Sequence, residues 1–408
     1  MRIRYSAEED GKPVKKAVVY TQNEHGINFS DVDREAVFII ERLQANGYAA
    51  YIVGGAVRDL ILKKAPKDFD IVSAASPARI KKIFRNARII GHRFRLVHVY
   101  FGPRIYEVST FRSIKDGPTS NTFGTIEEDV LRRDFTLNAL FYDPLKQIVV
   151  DYVGGIQDIR NRKIRPIIPL TYIFTEDPVR MIRAVKYGAA TGFALPLALR
   201  WKIKKHGSLL REVSPSRLTE EILKILHSSQ AAAIVENLEN FGLYEYLQPR
   251  ASELFKTRNG FKLRYLETMK NLNQEDFKNR PGEALAALVR DYLEDETDWN
   301  GDESVEPQAL PSDRYKDAFL AARKFVLPMN PPRMELAHAL KFLFAEHGVI
   351  IKKVRFPERR PRRAAAPGPG EPEAAEEAVP QEKERPPRKR RRRRPRRKET
   401  PHPPQQEG

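Results

Sequence analysis

The spacing of hydrophobic residues divides the chain into a strand-rich first part and a helical second part. Short apolar runs such as 49–53, bounded by polar residues or glycine, are typical of buried strands. From about residue 175 to residue 344, apolar residues recur every three or four positions, as at Leu218, Ile222 and Ile225. That spacing is typical of amphipathic helices. The pattern predicts an α+β fold in which a small mixed sheet is followed by an all-helical region.

Capping and turn residues predict several boundaries within the first part. Ser30 is placed to begin a helix that Gly47 ends, because a hydroxyl can accept from free N–H groups and glycine tolerates a left-handed backbone. Ser76, followed by proline, is a similar helix start. Residues 96–101 and 104–110 flank a Gly-Pro turn, and this arrangement predicts a hairpin.

Both ends of the chain differ from the middle. Residues 1–28 are polar, and we expect an N-terminal extension that is extended or loosely attached. Residues 357–408 are rich in Pro, Ala, Glu and Arg and contain almost no large apolar residue, which predicts a disordered tail. From Ile351 onward, 19 Lys and Arg accompany 9 Asp and Glu. This end therefore carries +10 of the net charge of +18.

The arginine-rich run of the tail is a candidate RNA-binding segment. Such runs attract phosphate chains through charge and counterion release, with little sequence preference. A solubilising appendage, a docking tail for acidic partners and a nuclear signal are the alternative interpretations. The residues assigned to RNA contact are Arg388, Lys389, Arg390, Arg391, Arg392, Arg393 and Arg394.

Composition limits the class of protein. With 408 residues and 41% hydrophobic content, the chain can form two or three domains. No apolar run approaches the roughly 18 residues of a membrane helix, and we expect no membrane span, no signal peptide and a cytoplasmic location. The absence of cysteine excludes disulfides, thiolate metal sites and cysteine nucleophiles.

Two aspartates separated by one residue, Asp68 and Asp70, follow a Gly54-Gly55 turn. Side chains two apart on a strand share a face, where like charges repel unless a cation lies between them. Mg2+, with Mn2+ as a substitute, fits because it takes one or two carboxylates and completes its shell with water and phosphate oxygens. The glycines let backbone N–H groups approach phosphate. A solvated acidic pair and a simple tight turn are the alternatives.

The order of motifs resembles the polymerase-beta-like nucleotidyltransferases that extend RNA 3′ ends without a template. That superfamily includes tRNA CCA-adding enzymes and bacterial poly(A) polymerases. The matching segments are 54–59, 68–70, 83–88, 91–99, 106–112, 132–139, 151–155 and 176–183. The resemblance covers about residues 29–192 and implies a nucleotidyltransferase head at 29–170, a helical neck at 171–240, a helical RNA-binding body at 241–356 and the tail at 357–408.

The resemblance also implies roles for individual residues. Asp68 and Asp70 would be catalytic and hold two metal ions. Asp134 is the first choice for a third catalytic carboxylate, and Glu107 is the alternative metal ligand. The implied nucleotide-binding residues are Gly54, Gly55, Arg58, Arg133, Asn138, Asp177, Arg180 and Arg183.

Asp177 and Arg180 are three residues apart on a predicted helix that Gly192 ends. On one helical face, a carboxylate can accept from an exocyclic amine of adenine while a guanidinium donates to a ring nitrogen. The resemblance assigns this pair to choosing the incoming base, and an ordinary helix ion pair is the alternative. Family members carry Arg-Phe where this chain has Lys186-Tyr187, so Lys186 is not assigned to the nucleotide.

Aromatic and basic residues also alternate at 255–258 and 261–265. Such mixing lets bases stack on rings while cations contact phosphates. The alternative is a helix with its aromatic residues in the core and its charges in solvent. We expect RNA contact here because the head motifs need an RNA substrate.

The leading functional hypothesis is transfer of AMP from ATP to RNA 3′ ends, with release of pyrophosphate, in RNA processing and decay. The arginine-rich tail and residues 85–99 resemble the poly(A) polymerase branch more than the tRNA enzymes. CCA addition to tRNA, an inactive RNA-binding protein and nucleotide transfer to a small molecule are the alternatives. RNA 3′ ends and ATP are the expected partners, RNA-decay and RNA-chaperone proteins are candidates, and the oligomeric state is left open.

Overall fold

The computed structural model describes residues 2–7, 13–91, 96–113, 122–272, 281–297, 299 and 312–351. Within these residues the first part of the chain contributes nine strands. They are β1 (Arg2–Ala7), β2 (Pro13–Thr21), β3 (Ala50–Val53), β4 (Asp70–Ser73), β5 (Ala87–Ile90), β6 (Leu96–Phe101), β7 (Arg104–Thr110), β8 (Leu140–Asp143) and β9 (Ile148–Asp151).

The strands form one mixed sheet in the order β1-β2-β9-β8-β3-β4-β7-β6-β5. β4 and β7 run parallel, and the other neighbouring strands are antiparallel. The predicted hairpin at 96–110 has the expected strand bounds. The mixed sheet of the α+β prediction is therefore confirmed.

Of the two alternatives for the N-terminal extension, the extended one is correct for residues 13–21, and loose attachment is wrong. β2 pairs with β9 from Val18 opposite Asp151 to Thr21 opposite Ile148. Residues 17–20 are buried, and Ala17 and Val19 pack in the core with Phe141 and Val150. The nearby lysines make this segment look polar in the sequence. A strand with one buried face needs apolar residues only at alternate positions, and this segment has them.

Helices cover the sheet and form the second part of the chain. Those before residue 170 are α1 (Gln22–His25), α2 (Arg34–Ala45), α3 (Gly55–Ile61), α4 (Pro77–Ile83), α5 (Ile126–Leu131) and α6 (Gly155–Arg160). Those after it are α7 (Ile173–Glu176), α8 (Val179–Thr191), α9 (Leu197–His206), α10 (Pro215–Leu226), α11 (Ala231–Asn240), α12 (Tyr244–Leu247), α13 (Pro249–Thr257), α14 (Phe261–Lys270), α15 (Pro281–Glu296), α16 (Ser312–Phe325) and α17 (Arg333–Glu346). Short 3-10 helices occur at Phe29–Asp31, Thr136–Asn138 and Gly207–Glu212.

The predicted helix starts were confirmed at one position and corrected at another. Ser76 caps α4 by accepting from the Arg79 backbone N–H. Asp33, rather than Ser30, caps α2, because its carboxylate accepts from the backbone N–H groups of Glu35 and Ala36. Gly47 follows the end of α2 with a φ of +83°, as the sequence predicted.

The second part is helical wherever it is described, as predicted, and α8 packs against α10 and α11. None of the described helices is long and apolar enough to cross a membrane. The head and the helices belong to one compact unit, residues 1–354. The assigned arginines 388–394 and the predicted disorder of 357–408 lie outside the described residues, and the boundary between neck and body stays a prediction.

The aromatic residues at 255–265 are not available for stacking on RNA. Phe261 and Tyr265 are fully buried, and Phe255 packs against both rings. Both arginines beside them are paired, since Arg258 and Arg264 contact Asp295. The core interpretation of this segment is therefore the correct one.

Candidate active site

A cleft of about 520 Å³ lies between the head and α8, and it gathers most of the predicted site residues. It is lined by Gly54, Gly55, Arg58, Asp70, Arg112, Arg132, Arg133, Asp134, Asn138, Asp177, Arg180, Arg183 and Tyr187. Ten of these were assigned from sequence. Arg112, Arg132 and Tyr187 were not, although all three lie within or beside the motifs quoted above.

The glycine turn places the backbone against Asp70. Gly54 follows β3 with φ +72° and ψ −138°, a combination that residues with a side chain rarely adopt. A Cβ atom on Gly54 would lie 3.7 Å from Asp70 Oδ2. Because Val53 pairs with Asp70 across β3 and β4, the turn and the carboxylate are held by the same strand pair.

Two carboxylates, Asp70 and Glu107, lie on the neighbouring strands β4 and β7, and Asp68 precedes β4. Ile71 pairs with Val108 in the parallel register, so Asp70 and Glu107 lie at the same level on neighbouring strands. Asp70 reaches the solvent of the cleft, yet the protein atoms around its carboxyl, followed by the charges of Glu107 and Asp68, raise its pKa to about 6. The mutual repulsion favours a bound cation.

The donor set fits a magnesium ion that is completed by phosphate. Among the described residues, no three His, Asp or Glu side chains are grouped as a preformed metal site. Mg2+ does not need one, since it binds through one or two carboxylates and takes further oxygens from water and substrate. Both candidates for the third carboxylate have a partner in the protein. Asp134 Oδ2 lies 3.9 Å from Arg183 Nη1, its Oδ1 accepts from the Phe135 backbone N–H, and Glu107 Oε1 lies 3.5 Å from His98 Nε2.

The head side of the cleft is built on a buried carboxylate, Asp129. It is 1% exposed and accepts from Arg132 Nε at 2.9 Å and Arg133 Nη2 at 2.8 Å. Burial alone would raise the pKa of Asp129, but the charges of Arg133 and Arg132 outweigh it and hold the pKa below its usual value. Arg112 also lines this side. Arg132 and Arg133 together carry more positive charge than Asp129 neutralises, which suits an anionic ligand.

Arg58 and Asn138 join the head to α8. Arg58 Nη1 donates to Asn138 Oδ1 at 3.0 Å, and Arg133 Nη1 donates to the Asn138 backbone oxygen at 3.0 Å. The Arg58 guanidinium also lies 5.7 Å from the Tyr187 ring centre. These contacts fix the orientation of two predicted nucleotide-binding side chains.

Asp177 and Arg180 both line the cleft, but they do not share a helical face. Asp177 precedes α8 in an extended conformation, because the proline that follows it disfavours a helical backbone there. Arg217 contacts both carboxylate oxygens of Asp177, at 2.9 and 2.8 Å. Arg180 Nη1 instead donates to Glu176 Oε2 at 3.0 Å. The two residues are therefore held separately, each by its own partner.

The helical side of the cleft is built on a second buried carboxylate, Glu221 of α10. It is 1% exposed, accepts from Arg183 Nε at 3.1 Å and pairs with Lys186. Burial would raise the pKa of Glu221, but Lys186 and Arg183 outweigh it and lower the pKa. The ammonium of Lys186 is thus directed to Glu221.

Glu221 was not identified from sequence. Its only signal is position, since it lies within the apolar stripe of α10 that contains Leu218, Ile222 and Ile225. A glutamate in such a stripe needs a buried partner. That partner is separated from it by 35 or 38 residues.

The motif at 151–155 has a structural explanation. Asp151 Oδ1 accepts from the backbone N–H groups of Val153, Gly154 and Gly155, and Oδ2 accepts from that of Ile156. A Cβ on Gly155 would lie 2.3 Å from the Thr136 backbone oxygen. The motif therefore ties the start of α6 to the segment that carries Asn138.

Residues 50–165 match the family described as "Poly A polymerase head domain". This segment of the chain is therefore similar to that head domain. Residues 192–255 match a second family region, described as "Probable RNA and SrmB-binding site of polymerase A". The first match lies in the sheet-containing head, and the second lies in the helices that follow it.

Named proteins that are similar to this chain come from two groups of enzymes. Poly(A) polymerase I of Salmonella typhi is 40% identical over 258 residues, which cover 59% of this chain and 55% of that protein. The CCA-adding enzyme of Geobacillus stearothermophilus is 39% identical over 220 residues, or 52% of this chain and 54% of that protein. The chain thus spans about half the length of these curated relatives.

One solved structure has a similar fold. The Bacillus stearothermophilus CCA-adding enzyme in complex with CTP is similar with a TM-score of 0.52 and 28% identity. The similarity covers 77% of this chain and 82% of that one. The sheet-containing head and the helical region after it are therefore shared with a nucleotide-bound relative.

Proposed function

We propose that the chain transfers AMP from ATP to the 3′ hydroxyl of RNA without a template and releases pyrophosphate. The observation that carries this proposal is a single cleft with carboxylates at one end and arginines on both sides. The similarity to poly(A) polymerases over the same residues supports the choice of RNA and ATP.

Asp68, Asp70 and Glu107 are the proposed metal-binding residues. Mg2+ or Mn2+, held there in a two-metal arrangement, would supply the charge that favours the attacking hydroxyl oxygen and the leaving pyrophosphate. Glu107 is preferred to Asp134 because Glu107 acts directly on the Asp70 carboxyl. Asp134 would instead orient Arg183 toward the nucleotide.

The head side of the cleft would bind the triphosphate. Arg133 and Arg132 present donors whose positions Asp129 fixes, and charge-assisted bonds to phosphate are the strong ones. The backbone at Gly54 and Gly55 would contact phosphate oxygens beside Asp70. Arg58 and Asn138 would hold the ribose or the triphosphate, and no proton transfer is required of either.

The helical side would choose the base. Asp177 can accept from the exocyclic amine of adenine, while Arg180 or Arg183 donates to a ring nitrogen. Each of these side chains lines the cleft and already has an anchoring partner on the protein, which limits the directions in which it can contact a base. Adenine and cytosine both offer an amine beside a ring acceptor, which makes CCA addition the second candidate, favoured by the similarity to a CTP-bound enzyme.

Product length and composition separate the candidates. The full chain is incubated with Mg2+ and either an unstructured RNA or a tRNA that lacks its 3′ end, with each nucleoside triphosphate alone and then with all four. We expect long tails from ATP alone on the unstructured RNA. Two cytidines and one adenosine added only to the tRNA would replace the proposal by CCA addition. RNA binding without any extension would indicate an inactive binding protein.

The tail is the proposed site of salt-dependent RNA retention in the cytoplasm. Arg388, Lys389 and Arg390–Arg394 would each add charge to the complex. Removal of residues 357–408 should shorten products and leave addition of a single nucleotide intact. An unchanged length distribution would assign the tail to another role, such as binding an RNA-decay or RNA-chaperone protein.

A further inference from the structure

Tyr187 of α8 is held in the cleft by contacts of its ring. Among the described residues that line the cleft, it is the only aromatic one, and the proposed function gives it no role. Its ring meets the fully buried ring of Phe135 edge to face, with 5.9 Å between ring centres and 81° between ring planes. The Arg58 guanidinium lies 5.7 Å from the ring centre. A phenylalanine would make the same contacts, so they do not explain the hydroxyl.

The hydroxyl of Tyr187 is open to a ligand. Within the residues that the structure describes, it has no hydrogen-bond partner on the protein, and Thr191 bonds to the backbone oxygen of Tyr187 instead. The buried polar atoms that lack a partner include the hydroxyl of Tyr142 but not that of Tyr187, so the latter is accessible from the cleft. Because a tyrosine hydroxyl that is withdrawn from bulk water usually has a partner, we expect a bound ligand to supply it.

The Tyr187 hydroxyl is close to charged groups from both sides of the cleft. Burial raises the pKa of Tyr187, the charges of Asp134 and Glu221 raise it further, and those of Arg183 and Arg58 oppose them. Asp134 and Arg58 belong to the head, whereas Arg183 lies on α8 and Glu221 on α10. The raised pKa keeps the hydroxyl protonated at neutral pH, so it can donate one hydrogen bond and accept another.

The sugar of a nucleotide suits this position. The proposed function places the triphosphate against the head side and the base against the helical side, and the ribose joins the two. Arg183 and Glu221 on the helical side act on the hydroxyl more strongly than Arg58 does, so the hydroxyl is nearer the base end of the ribose. The 2′ hydroxyl is attached to the carbon next to the one that carries the base, and the 3′ hydroxyl is one carbon farther away.

We propose that the Tyr187 hydroxyl forms a hydrogen bond with the ribose 2′ hydroxyl of the incoming nucleotide and thereby selects ribonucleotides over deoxyribonucleotides. This inference rests on the proposed function for the nucleotide that enters the cleft, and it adds the sugar specificity of that site. A site that bonds to a substrate hydroxyl discriminates against the analogue that lacks it, because the polar group of the protein is then left unpaired. Tyr187 determines specificity and takes no part in bond formation.

The experiment compares three sugars on the same base. The full chain and its Tyr187→Phe variant are assayed with Mg2+ for addition of the first nucleotide to an unstructured RNA from ATP, 2′-deoxy-ATP or 3′-deoxy-ATP. The variant keeps the ring contacts and loses the hydroxyl. We expect kcat/KM to fall about 2- to 13-fold for ATP and 3′-deoxy-ATP, the range of one neutral hydrogen bond, and to stay unchanged for 2′-deoxy-ATP. The preference for ATP over 2′-deoxy-ATP should fall by the same factor.

Tyr172→Phe is the matched control. Tyr172 immediately precedes α7, is 60% exposed and does not line the cleft, so loss of its hydroxyl should leave all three values of kcat/KM unchanged. Equal melting temperatures of both variants and the unaltered chain show that the fold is retained. If the Tyr187 hydroxyl instead positioned Asp134 or Arg183, the three nucleotides would lose activity equally, because they share the base and the triphosphate.

Nucleotide binding without RNA separates this inference from the proposed function. Titration calorimetry with Mg2+ should show tighter binding of ATP than of 2′-deoxy-ATP to the full chain, and a smaller difference in Tyr187→Phe. If the difference shrinks but no RNA is extended, the sugar contact stands and the transfer reaction is wrong. If RNA is extended but all three nucleotides change equally, or none changes, the transfer reaction stands and the sugar contact is wrong. Losses confined to ATP and 2′-deoxy-ATP would assign the hydroxyl to the 3′ position and also overturn the inference.

Discussion

The two sides of the cleft are built in the same way from different parts of the chain. Each has one carboxylate that is 1% exposed and two cations bound to it. On the head side, Asp129 holds Arg132 and Arg133. On the helical side, Glu221 holds Arg183 and Lys186. Asp129 fixes the direction of two arginines that line the cleft, Arg132 and Arg133, and Glu221 fixes the direction of a third, Arg183.

The sides differ in how far the anchors lie from their cations. Asp129 precedes its arginines by three and four residues, so one turn of chain sets their geometry. Glu221 follows its partners by 38 and 35 residues, so the pair forms only when α10 packs on α8. The side proposed for triphosphate binding is therefore assembled locally, and the side proposed for base choice depends on tertiary packing.

The largest expected effect is on the rate of RNA extension, when a proposed metal-binding carboxylate is replaced. Asp70→Asn should slow RNA extension by about a thousandfold or more, because metal-assisted charge stabilisation contributes several kcal/mol. RNA affinity and the unfolding midpoint should change little, since the amide keeps the shape of the side chain. Single-turnover extension and RNA binding are the measurements. Equal losses in Asp70→Asn and Glu221→Gln would contradict the division of roles between the two sides.

Removal of the long-range anchor should destabilise the fold. Glu221→Ala leaves Arg183 and Lys186 without their buried partner, a change that costs about 3–5 kcal/mol in comparable pairs. Urea unfolding followed by circular dichroism measures it. Glu220→Ala is the matched control, because Glu220 is exposed and pairs with Lys224 at the surface, where about 0–1 kcal/mol is expected. Similar values for both variants would refute the anchoring role.

Removal of the local anchor should affect ATP binding more than stability. Asp129→Asn keeps the size of the side chain but loses charge-assisted bonds to Arg132 and Arg133, worth about 1.5–3 kcal/mol. We expect KM for ATP to rise about 10- to 100-fold with a smaller change in kcat. Steady-state kinetics at saturating RNA measures both. Glu127→Gln, a neighbour that pairs with Lys16 instead, should leave KM unchanged.

Acid should weaken both anchors, with the smallest effect of the four. The pKa values of Asp129 and Glu221 are lowered in the folded chain, whereas unfolded carboxyls titrate near 4. Their contribution to stability is complete above that value and is lost as the pH falls through the lowered folded pKa values. Melting temperature measured against pH should therefore decline less steeply below about pH 4 in Asp129→Asn than in the unaltered chain. Parallel curves would contradict the ionised state of Asp129.

Features set by a few neighbouring residues were predicted from the sequence. The hairpin at 96–110, the cap at Ser76 and the glycine turn before Asp70 depend on alternation, capping and φ preferences that act within a turn of chain. The ten residues of the cleft that were assigned from sequence were identified through the order of the motifs along the chain. The same local logic placed the start of α2 at Ser30, whereas Asp33 caps the helix, because serine and aspartate both cap well and only the surrounding packing distinguishes the two positions.

Features set by distant contacts were not predicted. Glu221 and its two cations are brought together by helix packing, and sequence spacing does not show which buried charges meet. Phe261 and Tyr265 alternate with basic residues as a binding surface would, yet the aromatic cluster takes them into the core. Asp177 pairs with Arg217 on α10, a contact that the local sequence does not show. Arg180 pairs instead with Glu176.

Because β2 pairs with β9, a recombinant fragment that contains the head must include β2. A recombinant fragment that began at the first recognisable motif would leave the backbone groups of β9 unsatisfied along one side and uncover Phe141 and Val150. Such an unprotected edge recruits strands from other copies. If that shortened protein aggregated, the cause would be the exposed edge of β9. The aggregation would not show that the residues of the cleft are incorrectly arranged.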